Sequence, residues 1–127
     1  MADAKKILIV DDDSLISRMY QERFSRDGFE VVLAFDGEDG VEKAKKEKPD
    51  FILLDIMMPK MNGYETLKIL KKEAGTKSIP VMILSSIGGD PALVKKAKQL
   101  GIVDMVVKGE TPAKEIVEKV RAVLGKR

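Results

Sequence analysis

The run Ile7-Leu8-Ile9-Val10-Asp11-Asp12-Asp13 joins four consecutive apolar residues to three consecutive acids. A short apolar run without polar alternation marks a strand buried on both faces, as in a parallel sheet covered by helices. Similar runs recur at Val31–Phe35, Phe51–Leu54, Val81–Leu84 and Met105–Val107. Between them the apolar spacing becomes helical, with Ile16, Met19, Tyr20 and Phe24 in the first segment and Ile116, Val120, Val123 and Leu124 in the last. The second, Glu38–Lys46, is weakly patterned and relies on Val41 and Ala44. Asp90 before Pro91, and Thr111 before Pro112, read as an N-cap followed by a first-turn proline, and Gly101 after Leu100 as a helix stop. Strand then helix, five times over, predicts an α/β fold, doubly wound, with a five-stranded parallel sheet and helices on both faces.

Composition narrows the function. The 127 residues suit one domain, residues 1–127, and the 44% hydrophobic and 35% charged content suits a globular protein. No apolar run approaches the roughly 20 residues needed to cross a bilayer, and Met1–Lys6 resembles no secretory or lipidation signal, so a cytoplasmic location is expected. Without cysteine there is no disulfide, thiolate site or thiol nucleophile. Without histidine there is no imidazole ligand or base, and the chain cannot itself carry a phosphohistidine. A net charge of +2, from 23 basic and 21 acidic residues, gives no argument for direct nucleic-acid binding.

Open parallel sheets bind ligands beyond the carboxyl ends of their strands. Strand one runs into Asp11, Asp12 and Asp13, strand three into Asp55, strand four into Ser85 and Ser86, and strand five into Lys108. An isolated aspartate here reads as a cap or turn residue, and Asp13 and Asp36 are assigned that role. Several carboxylates gathered at one edge repel one another unless a cation neutralises them. Oxygen donors without nitrogen or sulfur select a hard ion, and Mg²⁺ suits a site shared with phosphate and water. Lys108 adds a compact point charge with three donors.

The segments Ile7–Asp13 and Leu53-Leu54-Asp55-Ile56-Met57-Met58-Pro59-Lys60-Met61-Asn62-Gly63, with Ser85 and Lys108, resemble response-regulator receiver domains of two-component signalling, over nearly the whole chain. The resemblance implies a flavodoxin-like sheet of strand order 2-1-3-4-5. It implies that Asp55 accepts a phosphoryl group from a sensor histidine kinase or a histidine phosphotransfer protein. Asp12, Asp55 and the Met57 carbonyl would then hold Mg²⁺, with Asp11 acting through bound water. Ser85 would hydrogen-bond the phosphoryl group, and Lys108 would pair with its oxygens. The chain would be a switch that catalyses only its own phosphorylation and dephosphorylation. Its contact surface, for a downstream protein target, would be helix four, strand five and helix five, where Lys95, Lys96, Lys98, Lys114, Lys119 and Arg121 give a basic cast. An ordinary solvated helix face explains the same residues equally well. The end at Gly125-Lys126-Arg127 reads either as a stand-alone regulator or as a piece excised from one with an output domain. Pro59 and Gly63 are read as loop-shaping residues.

Four positions depart from the family's pattern. Gly109 replaces the proline that usually follows the lysine through a cis bond, which leaves a trans, more mobile or differently shaped loop. Met105 stands where an aromatic switch residue is usual, so the loop Ser86–Asp90, with Gly88 and Gly89, is the expected reporter of phosphorylation. Met57 and Ile87 are apolar where many relatives are polar, which predicts slow loss of the phosphoryl group. Two other functions compete. A phosphohydrolase of the haloacid-dehalogenase type would need a second Asp two residues after the nucleophile, where Met57 stands, and a cap insertion that is missing. A pseudo-receiver would bind a partner without being phosphorylated. A Rossmann or P-loop nucleotide site lacks its glycine-rich turn.

Overall fold

The computed structural model describes residues 4–58, 62–85 and 91–125. Strands β1 (Lys6–Val10), β2 (Glu30–Ala34), β3 (Phe51–Asp55), β4 (Val81–Ser85) and β5 (Asp104–Val107) alternate with helices α1 (Ser14–Arg26), α2 (Gly37–Glu47), α3 (Gly63–Lys72), α4 (Pro91–Gln99) and α5 (Ala113–Leu124). All pairings are parallel, and the order is β2-β1-β3-β4-β5, as expected. The central strands β1, β3 and β4 are buried almost throughout, which is why their sequences show no polar alternation.

Side-chain alternation sorts the core into two layers. Leu8, Val10, Ile52, Leu54, Val81 and Ile83 pack with residues of α2, α3 and α4. Ile7, Ile9, Phe51, Leu53, Met82, Leu84 and Val106 pack on the other face with Tyr20 and Phe24 of α1 and Ile116, Val117 and Val120 of α5. Each fully buried Leu, Ile or Phe contributes about 1.5–3 kcal/mol relative to exposure, so the layers rather than helix propensity hold the helices in place.

Several sequence expectations shift at element ends. Phe35 lies beyond β2 and is 39% exposed, because β2 is an edge strand that ends at Ala34. Met19 is 54% exposed, since the inward face of α1 is Ser17, Tyr20 and Phe24. Thr111 does not cap α5: its N–H and that of Glu110 both donate to the Val107 carbonyl in a turn, and Pro112, in extended conformation, is the N-cap. Asp13 and Asp36 do cap α1 and α2 through their side chains. Gly101, at φ +90°, follows α4 as a stop residue. Ser86–Asp90, with Ile87 and the Asp90 cap, and Pro59, lie outside the described residues.

Candidate acidic site at the sheet edge

Strand order reverses at β1 and β3: the chain moves from β1 outward to β2, then crosses to β3 on the other side. Val10 is in register with Leu54, so the next residues, Asp11 just past β1 and Asp55 at the end of β3, lie side by side. Ile7, Ile9 and Asp11 share one parity, as do Phe51, Leu53 and Asp55, and Val106 with Lys108. All three polar residues therefore project from the face that carries α1 and α5. The ladder continues past the strands to hold them, through Asp11 N–H to the Ala34 carbonyl (3.0 Å), Ile56 N–H to Leu84 (3.0 Å) and Lys108 N–H to Ser85 (2.7 Å).

Asp11 is fully buried and Asp55 is 1% exposed. The Lys108 ammonium bridges them, donating to Asp11 Oδ2 at 3.1 Å and Oδ1 at 3.3 Å and to Asp55 Oδ2 at 3.2 Å. Met57 N–H donates to Asp55 Oδ1 at 3.0 Å, and Asp13 N–H to Asp11 Oδ1 at 2.9 Å. Asp12 is exposed, yet one oxygen from each of Asp11, Asp12 and Asp55 lies within 4.8 Å of the others. Burial pushes the Asp55 pKa up from 3.8 to about 7; the Met57 N–H opposes this, the Asp11 charge adds to it, and Lys108 opposes it. Burial also works against the Lys108 charge, but Asp55 and Asp11 outweigh it and hold its pKa above the ordinary lysine value.

Gly63 packs back against the end of β3. Its N–H donates to the Ile56 carbonyl at 2.9 Å, and a Cβ built there would lie 2.3 Å from the Asp55 carbonyl oxygen and 2.4 Å from Ile56 Cα. Only glycine permits that approach. Asn62 then starts α3 through a capping box with Glu65. Gly109 has φ +84°, a conformation closed to proline, so the turn after Lys108 is built differently from a Lys-Pro loop; no cis peptide occurs among the described residues.

Of the six residues singled out in the sequence, the structure brings Asp11, Asp12, Asp55 and Lys108 together. Met57 contributes its N–H, while its side chain is 42% exposed beside Asp55. Ser85 is buried at the end of β4 and holds Lys108 through its carbonyl, but its parity matches Val81 and Ile83, on the face opposite Asp55. Two supports were not anticipated from sequence: the Lys108 contact to Asp11, and Ser17, whose hydroxyl donates to the Asp11 carbonyl at 3.4 Å. Met105 is half-buried against the α2–α4 layer.

A five-stranded parallel sheet of this order, with acids at its switch point, is a doubly wound fold of the flavodoxin-like, CheY-type class. The chain belongs to the response regulator receiver domain family, whose pattern it matches over residues 7–121. It is thus a receiver domain of the two-component response-regulator type. It is 37% identical to the alkaline phosphatase synthesis transcriptional regulatory protein PhoP of Bacillus subtilis over 94% of this chain and 48% of that one. Its structure is similar to that of the chemotaxis protein CheY4 of Vibrio cholerae, with TM-score 0.85, 28% identity and coverage of 94% and 98% of the two chains. The response regulator domain of Thermotoga maritima CheB is likewise similar, with TM-score 0.82, 32% identity and 98% of each chain covered. The chain spans about half the length of the curated relatives it matches.

Proposed function

We propose that Asp55 accepts a phosphoryl group from a phosphohistidine on a sensor histidine kinase or a histidine phosphotransfer protein, in a Mg²⁺-dependent reaction. The observation that carries this reading is the Lys108 ammonium seated between the buried carboxyl groups of Asp11 and Asp55, 3.1 Å and 3.2 Å away. Three carboxyl groups meet here with one lysine, and the donors are all oxygen, so the residues present fit a hard divalent ion. Asp11, Asp12, Asp55 and the Met57 carbonyl are the groups that would hold it. Bound there, Mg²⁺ supplies charge neutralisation for the transferring phosphoryl oxygens.

The chain's own groups do the rest. A carboxylate oxygen of Asp55 attacks phosphorus, the P–N bond to the donor imidazole breaks, and the imidazole leaves with the bonding pair. Met57 N–H fixes the rotation of the Asp55 carboxylate by holding Oδ1, which leaves Oδ2 as the attacking atom. Lys108 follows the charge from Oδ2 to the arriving phosphoryl oxygens. Ser85 turns its hydroxyl toward the phosphoryl group once it is present. A downstream protein target, or an output domain, then reads the α4–β5–α5 surface. The chain acts as a switch rather than a turnover enzyme. A cytoplasmic location belongs to the same proposal; among the described residues no helix is long and apolar enough to cross a membrane.

The test is to treat the chain with acetyl phosphate and Mg²⁺, reduce the product with borohydride, and map the peptides. The acyl phosphate is expected at residue 55. A stable phosphate on a serine or threonine instead, with residue 55 unchanged, contradicts the assignment.

A further inference from the structure

Some lysines of α2 and α5 are ion-paired, whereas among the described residues no lysine of α3 or α4 is. Lys43 and Lys45 of α2, and Lys119 and Arg121 of α5, each reach a carboxylate. Lys68 and Lys72 of α3 and Lys95 and Lys96 of α4 are exposed and form no ion pair among the described residues. No acid occurs within α4, and Glu65 of α3 is committed to its own capping box.

Two of these lysines converge. Lys68 Nζ and Lys96 Nζ each lie 5.7 Å from the centroid of the Tyr64 ring. Lys68 is one turn along α3 from Tyr64, whereas Lys96 arrives from the neighbouring helix. One ring is thus approached by two ammonium groups from different helices, neither of them paired with a carboxylate among the described residues. Tyr64 marks the place where the lysines of α3 and α4 meet.

We propose that the lysine face shared by α3 and α4, centred on Tyr64, docks an acidic segment of a partner protein. Charge complementarity selects carboxylates. A single-stranded nucleic acid is a poorer fit, because the Tyr64 ring already lies against two ammonium groups and offers no free stacking platform. The net charge of +2 also gives the chain little long-range field for a polyanion. This face is distinct from α5 and β5, where Lys119 is tied to Asp104 at 3.0 Å and Arg121 donates to the Asp27 carbonyl at 2.7 Å. It adjoins the acidic site through Gly63, the neighbour of Tyr64, which packs on the backbone of Asp55 and Ile56. The two lysines stand at the ring with Asp55 unphosphorylated.

The test follows amide shifts of the full, unphosphorylated chain as an end-capped oligoglutamate peptide is added. The expected shifts cluster on α3 and α4. The double variant Lys68→Glu/Lys96→Glu binds about tenfold more weakly or worse. The control Lys46→Glu/Lys114→Glu, with the same change in net charge on exposed lysines elsewhere, binds as the parent does. Unchanged spectra away from the substitutions establish that both variants are folded. Shifts spread over all lysine-bearing surfaces, equal weakening in both variants, or tighter binding of a single-stranded oligonucleotide at this face each overturn the proposal.

Discussion

Lys108 holds Asp11 and Asp55 at nearly equal distance, 3.1 Å and 3.2 Å, although 97 and 53 residues separate it from them in the chain. Its own side chain is only 12% exposed, so the three charges form a partly desolvated unit in which each depends on the others.

Replacing Lys108 by Met leaves two buried carboxylates facing each other. In metal-free buffer we expect a loss of about 2–3 kcal/mol, below the full cost of breaking a buried ion pair because Asp55 can take up a proton. Urea unfolding with and without Mg²⁺ checks this. The loss should shrink when the ion is added, and a variant as stable as the parent in metal-free buffer contradicts the bridge.

The raised Asp55 pKa gives a stability profile with a definite sign. Between 3.8 and about 7 the folded chain holds a proton that the unfolded chain has released. Stability therefore falls as pH rises through that window, by roughly 1.4 kcal/mol per pH unit at the steepest, and levels off above it. Asp55→Asn removes this segment. Thermal melts of both proteins in chelator across that window should diverge, the Asn variant becoming relatively more stable as pH increases.

Gly63→Ala forces a methyl group into the Asp55 carbonyl and Ile56 Cα, both of which are backbone atoms that cannot swing aside. A destabilisation on the order of 2 kcal/mol is expected. Phosphorylation by acetyl phosphate should slow as well, because the strand end that aims Asp55 must shift. Unchanged values for both would contradict the tight approach of Gly63 to the end of β3.

Met57 is exposed beside Asp55 and presents a thioether where a polar group could orient water. Met57→Asn is expected to speed release of phosphate from the phosphorylated chain severalfold. Phosphate release measured under single-turnover conditions decides it.

Most of the fold was legible because the central strands are short and buried on both faces, and because a period of two is preserved up to the strand ends. Ile7, Ile9 and Asp11, then Phe51, Leu53 and Asp55, already place two carboxylates on one face of one edge. Legibility failed where a long-range contact or a local turn decides. Met19 satisfies helical spacing, but the layer beneath α1 takes Ser17, Tyr20 and Phe24 instead. Thr111 satisfies the capping pattern, but the Val107 carbonyl claims its N–H. The Lys108 bridge to Asp11 has no local signature, since it follows only from the register of β1, β3, β4 and β5 together. Gly109 could be seen as a departure from sequence, whereas its positive φ, which no proline could adopt, could not.

The most direct measurement is the intact mass of the chain after acetyl phosphate, with Mg²⁺ or with chelator, for the parent and for Asp55→Asn. The parent is expected to gain one phosphoryl group, and only when Mg²⁺ is present. The same gain in chelator, or in the Asn variant, would show that the buried carboxylates at the switch point are not what captures phosphate.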